Sequence, residues 1–237
     1  MNVKEYIDST FPGLVLKPGL NQQWNNRGIH FEFAKELYPL KEGKEKLNPA
    51  YFRTVYHQAI SLFHHLFALE DKFLFVTNIY WYKDDARRRK KKIKAYNYYI
   101  KSKDVLFSLK QETLPYLFEE EEALDYCTSQ FSLECTKQDI IYPLLIQAIC
   151  NQDFPSLKPR LSNPYYSYEP DIFLINVTKN IIFFIYDDRG CEVIAENIET
   201  LHPLYRKYRA WVDEYYLEKI EGLFSSRPHV SENQDGR

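Results

Sequence analysis

The sequence predicts an α+β protein: a mixed or antiparallel sheet with a β-β-β-α unit at the C-terminus and helices packed mainly on one face. Three observations predict it. The apolar runs 172-IFLINV-177, 181-IIFFIY-186 and 191-CEVIA-195 are strand-length and lie close together, with an amphipathic stretch behind them. Upstream, 29-IHFEFA-34 alternates apolar and polar residues. Between the two, residues 51–69 repeat their apolar positions every 3.6 residues.

Taken in order, the alternation at 29–34 puts Ile29, Phe31 and Phe33 on one strand face and His30 and Glu32 on the other. The helix at 51–69 carries apolar or aromatic residues at 52, 55, 56, 59, 60, 63, 66 and 67, with Asn48-Pro49 as its start signal. Residues 72-KFLFVTNIYWYK-83 are aromatic and β-branched, the composition of a central strand. The basic segment 84–104 reads as helical after its first turn, and 119–125 is an acidic run. A short strand at 131–135 and a helix over about 138–150 follow. Four prolines and three tyrosines make 151–171 an extended loop. Thr178-Lys179-Asn180 joins the next two strands in a tight hairpin. A single helix from Pro203 to Phe224 is expected to bury Leu204, Tyr208, Trp211, Val212, Tyr215 and Leu223. This outlines one domain, 1–224, with 84–125 as a candidate insertion and 225–237 as a mobile tail.

Composition narrows the function. Only 7 Gly in 237 residues leave little material for phosphate-cradling loops, against 20 Tyr and 16 Phe. A net charge of −2 gives no global attraction to nucleic acid. The four cysteines are widely spaced with no CxxC pair, which fits neither a zinc site nor a secreted disulfide framework. The N-terminus lacks a signal-peptide apolar core, and no run approaches the ~20 apolar residues of a membrane span. The expected setting is the reducing cytoplasm, with no membrane contact and no cofactor.

The densest cluster of chemistry-bearing side chains is Asp187-Asp188-Arg189-Gly190-Cys191. It reads first as a turn, with Gly190 supplying a positive φ. Adjacent residues of a strand face opposite ways, so Asp187 and Asp188 are not expected to converge, and Cys191 reads as a small core residue. No metal ligand set is expected; His64-His65 finds no partner a turn away at Ile60, Ser61 or Ala68. The run Arg87–Lys94, followed by Tyr96, Tyr98 and Tyr99, could stack and neutralise a nucleic acid, but a solvated loop is the preferred reading. The loop 151–171 mixes Phe154, Lys158, Arg160, Tyr165, Tyr166 and Tyr168, which suits either a recognition surface or a crossover that packs its own tyrosines. Trp24, in the N-terminal turn-rich segment, completes the candidate binding residues.

The runs FPGLVLKPGL…W…RGIHFEFA, TLPY (113–116), NQDFPSLKPR, INVTKNIIFFIYDDRGCEVIAEN and LHPLYRKYRAWVDEYYLEKIEGLF resemble a bacterial family designated domain of unknown function 3885. The resemblance spans nearly the whole chain and departs at 83–94 and in the tail. It implies a bacterial, cytoplasmic, stand-alone protein, and by analogy an immunity or antitoxin partner. The leading expectation is a non-enzymatic protein-binding module that neutralises a basic toxin domain through the acidic run, the exposed carboxylates of the turn and the aromatic loop. The alternative is a hydrolytic enzyme with a pocket between the turn and the loop, Asp187 as acid or base and Arg189 with Arg160 holding an anion. Nucleic-acid binding through 87–94 ranks third.

Overall fold

A computed structural model of the chain describes residues 1–43, 46–84, 94–118, 124–161 and 169–225. Among these residues seven strands form one sheet: β1 (Ile29–Glu32), β2 (Lys72–Tyr82), β3 (Lys110–Pro115), β4 (Tyr126–Thr136), β5 (Asp171–Asn176), β6 (Ile181–Ile185) and β7 (Gly190–Ala195). Their order is β1-β7-β6-β5-β2-β4-β3, and every neighbouring pair is antiparallel. The α+β class holds, and of the two expected sheet types the antiparallel one is present. Among the described residues, eight α-helices accompany the sheet: α1 (Val3–Thr10), α2 (Leu20–Gln23), α3 (Pro49–Leu66), α4 (Lys94–Tyr99), α5 (Lys103–Phe107), α6 (Tyr142–Cys150), α7 (His202–Tyr208) and α8 (Glu214–Ser225).

Helix α3 begins where Asn48 accepts a hydrogen bond from Ala50 N, with Pro49 in the first turn, where its missing N–H costs nothing. It buries Phe52, Val55, Ala59, Leu62, Phe63 and Leu66 on the larger face of the sheet. β2 is buried along its whole length except at its two ends. Such burial is unusual for an antiparallel strand and requires cover on both faces. The second cover is the N-terminal segment: Val3, Ile7, Phe11, Leu14, Leu16 and Leu20 pack on Leu74, Val76, Phe173, Ile182, Phe184 and Ile194.

Three elements differ from the sequence reading. β4 extends from 126 rather than 131, and β3 is an edge strand within the candidate insertion, hydrogen-bonded to β4. The helix expected over 203–224 is broken. Val212 adopts an extended conformation and bridges Phe31, while Asp213 donates its N–H to His30 O and accepts from Tyr215 N, starting α8. Tyr215 is therefore 79% exposed instead of buried. The predicted tail lies outside the described residues from 226 onward. Among the described residues, no helix is long and apolar enough to cross a membrane.

One buried carboxylate fastens the N-terminal cover to the sheet. Glu192, on β7, accepts from Leu20 N at 2.9 Å and Asn21 N at 3.3 Å, satisfying the free N–H groups that start α2. Glu192→Ala is expected to cost about 3 kcal/mol in urea unfolding, because it leaves those buried donors without an acceptor. An unchanged midpoint would show that the cover is held by apolar contact alone.

Candidate functional site

Antiparallel register collects the chemistry at one end of the sheet. Tyr82 ends β2 opposite Tyr126, Asp171 starts β5 opposite Asn78, and Ile185 ends β6 opposite Cys191. The connections 83–125, 151–170 and 186–189 therefore all emerge on the same side.

The Asp-Asp-Arg-Gly stretch is a turn in which Arg189 neutralises Asp187 and a phenol holds Asp188. Asp187 accepts from Arg189 N at 2.7 Å and from Arg189 Nε at 2.8 Å, and also pairs with the second guanidinium nitrogen. Asp188 accepts from the Tyr51 hydroxyl at 2.7 Å. Both carboxylates are buried, at 5% and 3% exposure, where an exposed pair was expected. They also converge, contrary to the strand argument, because β6 ends at Ile185 and the strand's alternation does not reach them. One oxygen from each of Asp153, Asp187 and Asp188 lies within 4.8 Å of the others. A cation approaching these three oxygens would compete with Arg189 for Asp187 and with Tyr51 for Asp188. Burial pushes the Asp188 carboxyl above the usual range; the Tyr51 hydrogen bond opposes this and the charge of Asp187 adds to it. Gly190 does not use a positive φ. It is required by space, since a Cβ there would meet Phe31 O at 2.2 Å and the Tyr186 hydroxyl at 2.3 Å. Cys191 is fully buried, and with Cys150 its thiol is pushed well above the ordinary range by burial, so both are inert as nucleophiles at neutral pH.

The remaining expected residues scatter. Arg160 donates to Gln152 O at 2.9 Å and pairs with Glu169 at 3.5 Å, so it does not join Arg189 in an anion clamp. Lys158 is exposed. Tyr165, Tyr166 and Tyr168 lie outside the described residues, as do 119–123 of the acidic run and Arg87–Lys92 of the basic run. Of the tyrosines behind that basic run, Tyr96 and Tyr99 are buried at 1% and 5% exposure, which leaves only Tyr98 open for stacking. Trp24 is half-buried: its indole donates to Ala195 O at 2.9 Å and its ring meets Phe11 edge-on at 5.4 Å.

The site that sequence reasoning missed lies beside the turn, on the face covered by the N-terminal segment. Asp171, Asn78, Gln130 and Glu112 stand in register across β5, β2, β4 and β3. Asn78 donates to Leu16 O at 2.6 Å and accepts from Gln130 Nε2 at 3.1 Å, which pins the covering segment in place. Past Pro18 this cover gives way to a cavity of about 340 Å³. Three rings line it, Tyr80, Tyr116 and Phe118, and so do two carboxylates, Glu169 and Asp171; Pro18 and Gln152 complete the lining. The rings continue outward as a series: Tyr80–Phe118 at 5.1 Å, Tyr116–Phe118 at 5.3 Å, Tyr116–Tyr126 at 5.3 Å and Tyr82–Tyr126 at 5.4 Å. Its outer members, Tyr82 and Phe118, are 45% and 39% exposed.

Asp171 is the electrostatic outlier of this cavity. Its carboxylate accepts from the Tyr80 hydroxyl. Burial pushes its pKa up to about 6, and among the described residues only that hydroxyl favours the ionised form. A signal for this site existed in the sequence: Asn78 and Tyr80 interrupt an otherwise apolar strand at positions sharing one face.

Fold and site together define an α+β protein with a clasped acidic turn and an aromatic, carboxylate-bearing cavity at one end of its sheet. The chain belongs to the family described as Domain of unknown function (DUF3885), whose profile matches residues 3–216. It is 43% identical over 215 residues to "Uncharacterized protein YnaE" of Bacillus subtilis (strain 168), an alignment covering 91% of this chain and 99% of that protein. No solved structure matches the chain significantly.

The raised carboxyl of Asp171 gives a signed pH dependence. Its folded-state pKa of about 6 exceeds the ordinary 3.8, so the folded state holds the proton more tightly. Its stabilising contribution is therefore complete below 3.8 and is lost as pH rises through 6, a change of roughly 3 kcal/mol. Asp171→Asn is expected to raise the urea midpoint at pH 7.5, with the gain shrinking as pH falls toward 4. A variant destabilised equally at both pH values would contradict this.

Proposed function

We propose that the chain is a non-enzymatic, cytoplasmic protein-binding module that docks a basic partner on the aromatic end of its sheet. The observation that carries this reading is the ring series from Tyr80 to Tyr82, open to solvent at Tyr82 and Phe118. Large, rigid aromatic side chains lose little entropy on docking and dominate interface energetics. Carboxylates accompany the rings: Asp171 and Glu169 line the cavity, and Asp84 and Asp125 are exposed where β2 and β4 meet their connections. Complementary charge of this sign speeds capture of a positively charged partner and discourages acidic ones. An immunity-type role, in which the module neutralises a basic toxin domain, is the form this binding would take in a bacterial cell. The four free cysteines, all buried, suit a reducing cytoplasm.

Relative to the sequence reading, the contact surface moves from the turn to the rings. Asp187 and Asp188 are buried, paired with Arg189 and hydrogen-bonded by Tyr51 respectively.

A photo-crosslinking residue placed at position 82, and separately at position 118, tests this in cells that naturally express the chain. The same partner protein is expected from both positions and not from position 69, an exposed site at the other end of β2. Absence of a crosslinked protein, or the same products from position 69, would overturn the reading.

A further inference from the structure

The cavity beside the ring series has a chemistry of its own. Its carboxylates are not equivalent. Glu169 shares its charge with Arg160 at 3.5 Å. Asp171 has a phenol for its partner, and burial alone sets the direction in which its proton affinity moves. A carboxylate withdrawn from water without a cation is a standing electrostatic cost, relieved by any positive group that can reach it. The walls select what that group can be. Tyr80, Tyr116 and Phe118 present π systems, which attract organic cations. An anion would face Asp171 and Glu169, and a neutral apolar ligand would desolvate Asp171 further. The chain itself places one cation against this wall: the Lys17 ammonium lies 5.7 Å from the Phe118 ring centroid, at the mouth next to Pro18. At about 340 Å³ the space is at the small end of ligand sites, which run from about 300 to 1,000 Å³.

We propose that this cavity is a receptor for one organic cation, the guanidinium of an arginine side chain on the partner, seated against the Asp171 carboxylate and the exposed Phe118 ring. The planar guanidinium can stack on a ring and donate to a carboxylate in the same pose, which an ammonium does less well. The proposal rests on the protein-binding reading only for the source of the arginine; the chemistry of the cavity does not depend on it.

The test titrates the full chain with N-acetyl-argininamide and with its neutral isostere N-acetyl-citrullinamide, following Tyr80 and Phe118 ring resonances by NMR. Saturation is expected at about millimolar argininamide, as befits a ligand of few atoms, with no saturation by the citrulline compound. Asp171→Asn is expected to weaken argininamide binding at least tenfold. Phe118→Ala, at a half-open position, is expected to weaken it several-fold and provides a second variant should the first refold poorly. Equal binding of both compounds, or argininamide binding unchanged in both variants, would overturn the proposal. If crosslinks form from positions 82 and 118 while argininamide does not bind, the partner docks on the rings without a cation and the proposal fails alone. If argininamide binds while no protein crosslinks, the cation site stands and the partner as its source is overturned.

Discussion

The need to cover both faces of β2 governs this molecule. An eleven-residue strand buried almost end to end cannot face water on either side, yet the chain places most of its helical cover on one. Roughly the first two dozen residues must roof the other face, with one eight-residue helix and one four-residue helix. Apolar packing holds this roof over β5, β6 and β7, and two polar fastenings set its position: Glu192 at the start of α2 and Asn78 on Leu16 O. Both fastenings are fully engaged buried groups, which fix one arrangement because any other would orphan them. The roof extends as far as Pro18. What lies past it on the same face, the ends of β2 and β4 with their polar and aromatic side chains, is left as the cavity.

The two charge clusters at this end of the sheet differ in one physical respect. In the turn, Asp187 has a cation within the chain, the Arg189 guanidinium, while Asp188, like Asp171, has a phenol hydroxyl, that of Tyr51. Withdrawing either partner would leave a buried carboxylate short of a hydrogen bond, so the cluster acts as a structural clasp joining α3 to the sheet. In the cavity, Asp171 has the Tyr80 hydroxyl and, among the described residues, no cation beside it, and π surface lines part of the wall. A protein keeps an uncompensated buried charge at a cost to its stability, and such groups concentrate where a ligand supplies the missing partner.

How much of this could be read from the sequence depended on whether the information was local. Ile29, Phe31 and Phe33, the α3 stripe and the three C-terminal strands announced themselves because period and burial agree along a continuous stretch. β3 did not, because an exposed edge strand with the sequence KQETLP has no buried face to produce alternation. The first half of β4, YCTSQ, is polar in sequence, and its Gln130 belongs to the row with Asn78 and Asp171, a pattern visible only across strands. The break at Val212 follows from pairing with Phe31, nearly the length of the chain away. The turn was located correctly, but its carboxylates were assigned to strand geometry that stops two residues earlier. The cavity was hidden most thoroughly: its lining comes from five separated segments, and in a chain with 20 Tyr and 16 Phe three more rings carry no local signal.

Asp171 is a part-buried carboxylate whose partner among the described residues is the Tyr80 hydroxyl, with no cation beside it. Its carboxyl-carbon resonance, followed by NMR through a pH titration of the unliganded chain, measures this directly. A midpoint near 6 is the expected result. A midpoint at or below 3.8, the ordinary aspartate value, would mean that a positive group within the chain already serves it, and the cavity would have no vacancy for a partner's charge.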